Sequence, residues 1–296
     1  MKNTIDYIVV GAGLFGSAIA RNLSNKGEDV LTVDSHHPMS ASKCSFGVWK
    51  DGWVNKVIQE QVTQGMENLE WLANGIRDIE VYNMEKDRME AFKQVDCSNI
   101  LLDEESHFVG RISKINKEYV TIVSGKGEID VKFKKGVIVA AGAMTPEVLS
   151  LAGSKHSGFG LDKLWGATLD LKIKLDGNRM SQWAPYKQSM LVEMSNGMYS
   201  FGDGATVKNP KGVDDPRIGK ASDRLLTHLE DVLTVGIDHN KIKVVNEGLR
   251  PYLKKGVPDF INQHESWLWS VTGGAKNSTI LCGYVGKKMV DVLGIK

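Results

Sequence analysis

Near its N-terminus the chain runs Asp6-Tyr-Ile-Val-Val-Gly11-Ala-Gly13-Leu14-Phe15-Gly16-Ser-Ala-Ile-Ala-Arg21, a short apolar strand, a glycine turn and the opening of a helix. The G-x-G-x-x-G spacing is a dinucleotide-binding fingerprint. Gly11 permits the tight turn, Gly13 lets the backbone approach a pyrophosphate, and Gly16 allows close packing of helix on strand. The helix N-terminus, with Leu14 and Phe15 in its first turn, offers free N–H groups and the positive end of a dipole to the anion. A second apolar strand, Asp29-Val-Leu-Thr-Val-Asp34, follows the helix and ends in an acid placed to accept a ribose hydroxyl, with Ser35 beside it.

A chain of 296 residues, 42% hydrophobic and 25% charged, can hold one large or two moderate globular domains. A formal charge of +1 gives no global field for a polyanion, so nucleic-acid binding is neither supported nor excluded by charge. No apolar run approaches the length of a membrane span, and the few residues before the first strand leave no room for a signal peptide. A cytoplasmic protein is the expectation. Cys44, Cys97 and Cys282 are odd in number and lack C-x-x-C spacing, so reduced thiols are expected, and no metal-ligand pattern appears among the seven histidines.

The order of signals predicts an α/β fold, a Rossmann-like dinucleotide-binding domain with an interleaved antiparallel β-sheet substrate domain. The first is assigned residues 1–80, 107–155 and 265–296, the second 81–106 and 156–264. Ser40 to Trp49 reads as a ligand-facing loop. Apolar residues from Val57 to Ile76, Trp71 among them, predict a helix over about 54–79. Residues 81–106 are polar and poorly periodic, 107–133 fit a β-meander, and Gly136 to Gly142 fits a central parallel strand. Trp165–Lys174, a hairpin across Ser195-Asn196-Gly197 and Lys241–Arg250 predict one antiparallel sheet, with a helix over 222–233. Trp267–Leu281 predicts strand, glycine loop and a terminal helix.

Four blocks, in order along nearly the whole chain, carry a family resemblance. They are the N-terminal fingerprint with Asp34, Val137-Ile-Val-Ala-Ala141-Gly142-Ala-Met-Thr-Pro146, Gly248-Leu-Arg250-Pro-Tyr252 with Pro258-Asp259, and Thr272-Gly273-Gly274-Ala275-Lys276-Asn277. In these the chain resembles the FAD-dependent D-amino-acid oxidase, glycine oxidase and sarcosine oxidase superfamily. The resemblance implies FAD as cofactor and oxidation of an amine carbon by hydride transfer to flavin N5 from an amino acid or secondary amine. It implies that Arg250 holds a substrate carboxylate, for which a guanidinium fork is suited. The alternative for Arg250 is a structural ion pair. It places Ser42, Cys44 and Ser45, with Lys43, against flavin and pyrophosphate. Ala141, Gly142, Gly273, Gly274, Ala275 and Asn277 fall in its cofactor loops, and Lys276 would steady negative charge on the flavin ring or lie solvated. Cys44 is either a covalent link to the ring or a buried thiol. Tyr199, named as a catalytic candidate, and Tyr186 are candidate substrate contacts or packing residues. His36 and His37 meet adenosine or solvent.

The chain is shorter than is usual in that superfamily, chiefly between Trp71 and His107, which implies a more open site. Two alternatives follow from this. One is oxidative, lyase-like removal of a glycine-type group from a modified nucleobase in RNA or DNA, with a nucleic acid as substrate carrier approached by Lys163, Lys208, Lys211, Arg217, Lys220, Lys254 and Lys255. The other is a non-catalytic flavin-binding subunit.

Overall fold

The computed structural model describes residues 4–153, 160–184, 187–204, 206–212, 214–233, 238–253 and 259–296. Tyr186, Lys254, Lys255 and Pro258 lie outside them. Its first layer is a sheet of β1 (Thr4–Val10), β2 (Val30–Asp34), β6 (Phe108–Val109), β7 (Arg111–Ile115), β8 (Tyr119–Ser124), β9 (Gly127–Val139), β16 (Ile261–Glu265) and β17 (Leu268–Val271). The main path runs β16-β17-β9-β1-β2-β6, and β7-β8 continue from β9 as an antiparallel meander. Strand β1 lies parallel between β2 and β9, with Val10 opposite both Val33 and Val139. The three strands therefore end level, which brings Gly11, Asp34 and Ala140 to one edge, where ligands bind in open parallel sheets.

Strand β9 does two jobs. Its first half closes the meander and its second half, Gly136 to Val139, is the expected buried parallel strand, so two predicted strands are one. One face of this sheet is covered by α1 (Leu14–Asn25), α2 (Lys56–Ala73) and α6 (Ser278–Val292), which share a core with Val9, Ile138 and Val271. On the other face Ile8, Val10 and Val139 pack with Ile112, Val120 and Ile122 of the meander. Helices α2 and α6 cross at glycines: a Cβ on Gly283 would lie 2.1 Å from the Gly65 carbonyl oxygen.

Helix α2 is shorter than its apolar spacing predicts. Asn74, at φ 56°, and Gly75, at φ 115°, turn the chain out of the helix, and Ile79 enters a strand instead. Val57 and Trp71, read as part of the buried face, are exposed, while Val62, Leu69 and Leu72 are buried. The polar stretch after it forms a hairpin, β4 (Arg77–Asn83) with β5 (Arg88–Gln94), and a short α3 (Cys97–Ile100).

That hairpin belongs to the second sheet, with β3 (Val48–Trp49), β10 (Leu161–Leu171), β11 (Asn178–Ala184), β12 (Lys187–Glu193), β13 (Tyr199–Gly202), β14 (Val207–Lys208) and β15 (Ile242–Leu253). Its order is β14-β10-β13-β12-β11-β4-β5-β3, and β15 pairs along β10. Alternation gives this sheet two faces. Trp165, Leu169, Leu171, Leu191, Tyr199 and Phe201 pack with Ile218, Leu225 and Leu229 of α5 (Pro216–Leu233). The opposite set includes Leu164, Gly166 and Thr168, which the register pairs with Arg250, Gly248 and Asn246. It turns toward the first sheet. A short helix α4 (Thr145–Ser150) follows β9.

Candidate functional site

Between the level ends of β1, β2 and β9 and the second face of the other sheet runs a cleft of about 1150 Å³. That is more than a drug-sized ligand needs and suits a dinucleotide with a substrate beside it. At one end Gly11, at φ 106°, passes under Ala140 so closely that a Cβ would stand 2.5 Å from the Ala140 carbonyl oxygen. A Cβ on Gly16 would stand 1.8 Å from the Gly11 carbonyl oxygen. Both glycines are therefore fixed by close backbone approach, and Gly16 serves the cleft from behind it.

The Asp34 carboxylate accepts the Ala12 N–H at 2.6 Å through one oxygen and the His36 N–H at 2.6 Å through the other. It thus braces the glycine turn while lining the cleft, as Ser35 does. Ser42 Oγ accepts the Leu14 N–H at 3.1 Å, and Gly13 leaves room for that hydroxyl. The N-terminus of α1, capped by no side chain of its own, opens here, and Gly13, Leu14, Phe15, Ser42, Cys44 and Ser45 all line the space. Of the two histidines, His37 lines the cleft, whereas His36 Nε2 meets His107 Nε2 at 2.7 Å. His107 Nδ1 faces the Asp103 carbonyl at 2.9 Å and so carries its proton, which leaves His36 as donor to His107.

The middle of the cleft is floored by two glycine turns distant in sequence. Ala141 and Gly142, after β9, line it together with Ala275, Lys276 and Asn277 at the start of α6. Gly273, at φ 97°, and Gly274 lie behind them, packed against Leu253 and Phe15. The first turn of α6 has no side-chain cap, and Lys276 stands exposed beside it with no carboxylate partner among the described residues. Ser45 Oγ hydrogen-bonds Thr279 Oγ1, tying the loop before β3 to the same helix.

Arg250 is brought to the cleft by β15. The segment Ala41–Cys44 crosses that strand at Gly248, where a Cβ would lie 2.6 Å from the Ala41 Cα and 3.1 Å from Cys44 Sγ. Arg250 is half-buried and lines the cleft. Burial pulls its pKa below the ordinary value, while Cys44 and Asp203 act in the other direction. Among the described residues no carboxylate forms an ion pair with it, which sets aside the structural ion pair considered for this position.

Tyr199 is a correction. Its register places it on the α5 face, 4% exposed, where its hydroxyl donates to the Leu175 carbonyl at 3.3 Å, and it does not line the cleft. The cleft wall contributed by the second sheet is instead Leu164, Thr168, Gln188, Met190 and Gly202. Nothing in sequence spacing marked these, because their facing depends on the pairing of β10 with β13 and β15. Of the cations expected to form a phosphate approach, three are engaged in ion pairs: Lys163 with Glu147, Lys208 with Asp162 at 2.8 Å, and Arg217 with Asp215 at 2.6 Å.

Residues 6–93 match the family model of FAD dependent oxidoreductase. No curated protein sequence matches the chain. Among solved structures, glycine oxidase from Bacillus cereus superposes with a TM-score of 0.66 at 16% identity, over 98% of this chain and 95% of that one. Iminodiacetate oxidase from Chelativorans sp. BNC1 gives 0.66 at 15% identity, over 98% and 96%. L-alpha-glycerophosphate oxidase from Mycoplasma pneumoniae, with FAD bound, gives 0.69 at 17% identity, over 99% and 95%. The fold is the one these three proteins share, and the stretch that matches the family model is the one that carries the N-terminal glycine fingerprint. Among the described residues, no helix is long and apolar enough to cross a membrane.

Proposed function

We propose that this chain, with the fold of the D-amino-acid oxidase superfamily, is an FAD-dependent oxidoreductase that oxidises the C–N bond of a carboxylate-bearing amine. The observation that carries the reading is Arg250, a guanidinium in the cleft wall with no carboxylate partner among the described residues. A half-buried guanidinium with no carboxylate bonded to it has its fork free, and a substrate carboxylate suits that fork in a bidentate geometry. Two of the similar folds belong to proteins named for amino-acid substrates, glycine and iminodiacetate.

The glycine cradle of Gly11 and Gly13, the open N-terminus of α1, Ser42 and the Asp34 carboxylate fit the pyrophosphate and ribose of FAD. When bound, the flavin supplies the acceptor for the hydride leaving the carbon that bears nitrogen. This chain's residues do the positioning. Arg250 fixes the carboxylate and with it the orientation of the amine carbon. Lys276 and the uncapped N–H groups of α6 put positive charge at one side of the cleft, where negative charge develops. Leu164, Met190 and Gly202 give the cleft an apolar wall on the side of the second sheet.

The purified protein should show a flavin spectrum that bleaches anaerobically on adding an amino acid or N-substituted glycine. Arg250→Ala should lower the apparent affinity for such a substrate at least tenfold while leaving the bound flavin in place. Bleaching by glycerol 3-phosphate alone would overturn the amine reading, and bleaching only by a nucleoside bearing a glycine-type substituent would move the substrate onto nucleic acid.

A further inference from the structure

Three neighbouring strands, β1, β2 and β6, reach the cleft side by side, and each delivers a different residue to it. Strand β1 runs into Gly11, β2 ends at Asp34, and Val109 at the end of β6 pairs with Asp34. The Gly110 N–H then donates to the Asp34 carbonyl at 2.9 Å, and Arg111 follows. A Cβ on Gly110 would lie 2.7 Å from the Ile122 side chain and 3.1 Å from the Val123 carbonyl oxygen, so only glycine lets the chain pass this close to β8. Arg111 itself pairs with Val123. The backbone that carries it is thus fixed from both sides.

Arg111 is exposed and lines the cleft, and its guanidinium makes no ion pair or hydrogen bond among the described residues. The acid on the neighbouring strand does not take it, because the two oxygens of Asp34 are engaged by the N–H groups of Ala12 and His36. Adjacent strands lie about 4.8 Å apart, so the edge from Gly11 past Asp34 to Arg111 is about 10 Å long. A dinucleotide laid along it puts its pyrophosphate at Gly11 and Gly13 and its ribose at Asp34. The base falls to the third position. There the side chain on offer is a planar guanidinium, which stacks on aromatic faces as a lysine ammonium does not.

We propose that Arg111 is an adenine-binding residue, its guanidinium stacking on the base of FAD and holding the end of the cofactor remote from the flavin. Recognition is by the plane of the side chain against the face of the base and not by phosphate charge. The inference rests on FAD as the cofactor, and it is independent of the substrate and of the role given to Arg250.

Equilibrium dialysis of the holoprotein, with the released flavin read by its absorbance, tests this. Arg111→Ala and Arg111→Lys should each bind FAD about tenfold more weakly than the parent, whereas Arg111→Tyr, which restores a plane without a charge, should stay within about threefold of it. The flavin-free variants should melt with the parent, because Arg111 is exposed and its side chain unpaired. Parental affinity in Arg111→Ala would overturn the proposal and leave FAD binding standing. Parental affinity in Arg111→Lys, with Arg111→Tyr as weak as Arg111→Ala, would assign a phosphate contact and overturn it as well. So would a flavin-free Arg111→Ala chain that melts lower than the parent with affinity lost equally in Arg111→Tyr, since the arginine would then be structural. A parent chain that holds no FAD would overturn the cofactor reading itself.

Discussion

Thr272 Oγ1 donates to the carbonyl of Gly142 at 2.9 Å, and this bond joins the loop that opens the last helix to the turn that leaves the central strand. Both residues line the cleft, and Thr272 is 1% exposed. The two glycine turns that floor the middle of the cleft therefore hold their spacing through one side chain. Thr272→Val keeps the shape and removes the donor, which should cost about 1 kcal/mol. The expected result is a roughly fivefold weaker FAD affinity, read by flavin fluorescence during titration of the apoprotein, with the melting point of the apoprotein lowered by only a few degrees. An unchanged affinity would mean that the floor is held by packing alone.

Gly16→Ala tests the first turn. Its methyl would have to share space with the Gly11 carbonyl oxygen, at 1.8 Å, and neither backbone can move without lifting α1 from β1. The variant should lose about 3 kcal/mol or more and purify without flavin. Recovery of a yellow protein with parental stability would show that the helix can ride higher than this packing allows.

Gly16 and Gly11 are also where sequence and structure agree most closely, and the reason is local. A G-x-G-x-x-G turn acts within a few residues of itself, so spacing alone states its geometry. Arg250 was legible through its motif, although the cause of the glycine before it, the passage of Ala41–Cys44 over Gly248, is a contact between segments far apart in the chain. Thr168 and Tyr199 show the limit. Each stands in a strand whose two faces are both buried, so no apolar alternation tells which side meets the cleft. Only the pairing of Leu169 with Phe201 and of Leu171 with Tyr199 decides it. The hairpin of β4 and β5 escaped for a different reason. One of its most buried residues, Glu90, is charged, and its apolar positions are too few to show a period.

The crossing of α2 and α6 depends on Gly65 and Gly283, which let the two backbones touch. Gly283→Ala should lower the melting temperature by about 6 °C or more, since a methyl there meets the Gly65 carbonyl and cannot rotate away. Gly125→Ala, at a turn where a Cβ meets nothing within 4 Å, should leave it unchanged. Equal effects of the two would argue against backbone contact as the cause.

Burial raises the pKa of the Cys97 thiol, and raises that of Cys282 well above its ordinary value of 9.0. Disulfide exchange needs the thiolate, so neither should react with a thiol-specific disulfide reagent at pH 8 in the native state. Both should react once the protein is unfolded in urea. Rapid modification of either in the native protein would indicate that the core under α6 opens locally.

The edge of the second sheet near the cleft mouth is fastened by Glu90. Its carboxylate, 8% exposed, bonds Lys50 and also meets Lys86 at 2.9 Å and Arg88 at 3.4 Å. Hydrogen bonds from Lys50 and then Lys86 hold its pKa down, from 4.5 to about 2. Lys50 in turn lies over the rings of Trp53, at 5.5 Å, and Phe92, at 4.9 Å, and Trp53 lines the cleft. A carboxylate whose pKa is depressed on folding stabilises the folded state above its unfolded value, and that contribution disappears as pH falls through its folded value. The stabilisation should therefore be complete above about pH 5 and fade between 4.5 and 2. Because Lys86 and Arg88 are exposed, solvent screens their part and the net effect is about 1 kcal/mol. Glu90→Gln should lower the melting temperature by about 2–4 °C at pH 7, and the gap should narrow steadily as the pH is taken toward 2. A gap that persisted unchanged at pH 2.5 would assign the loss to packing of the hairpin and not to the charge of Glu90.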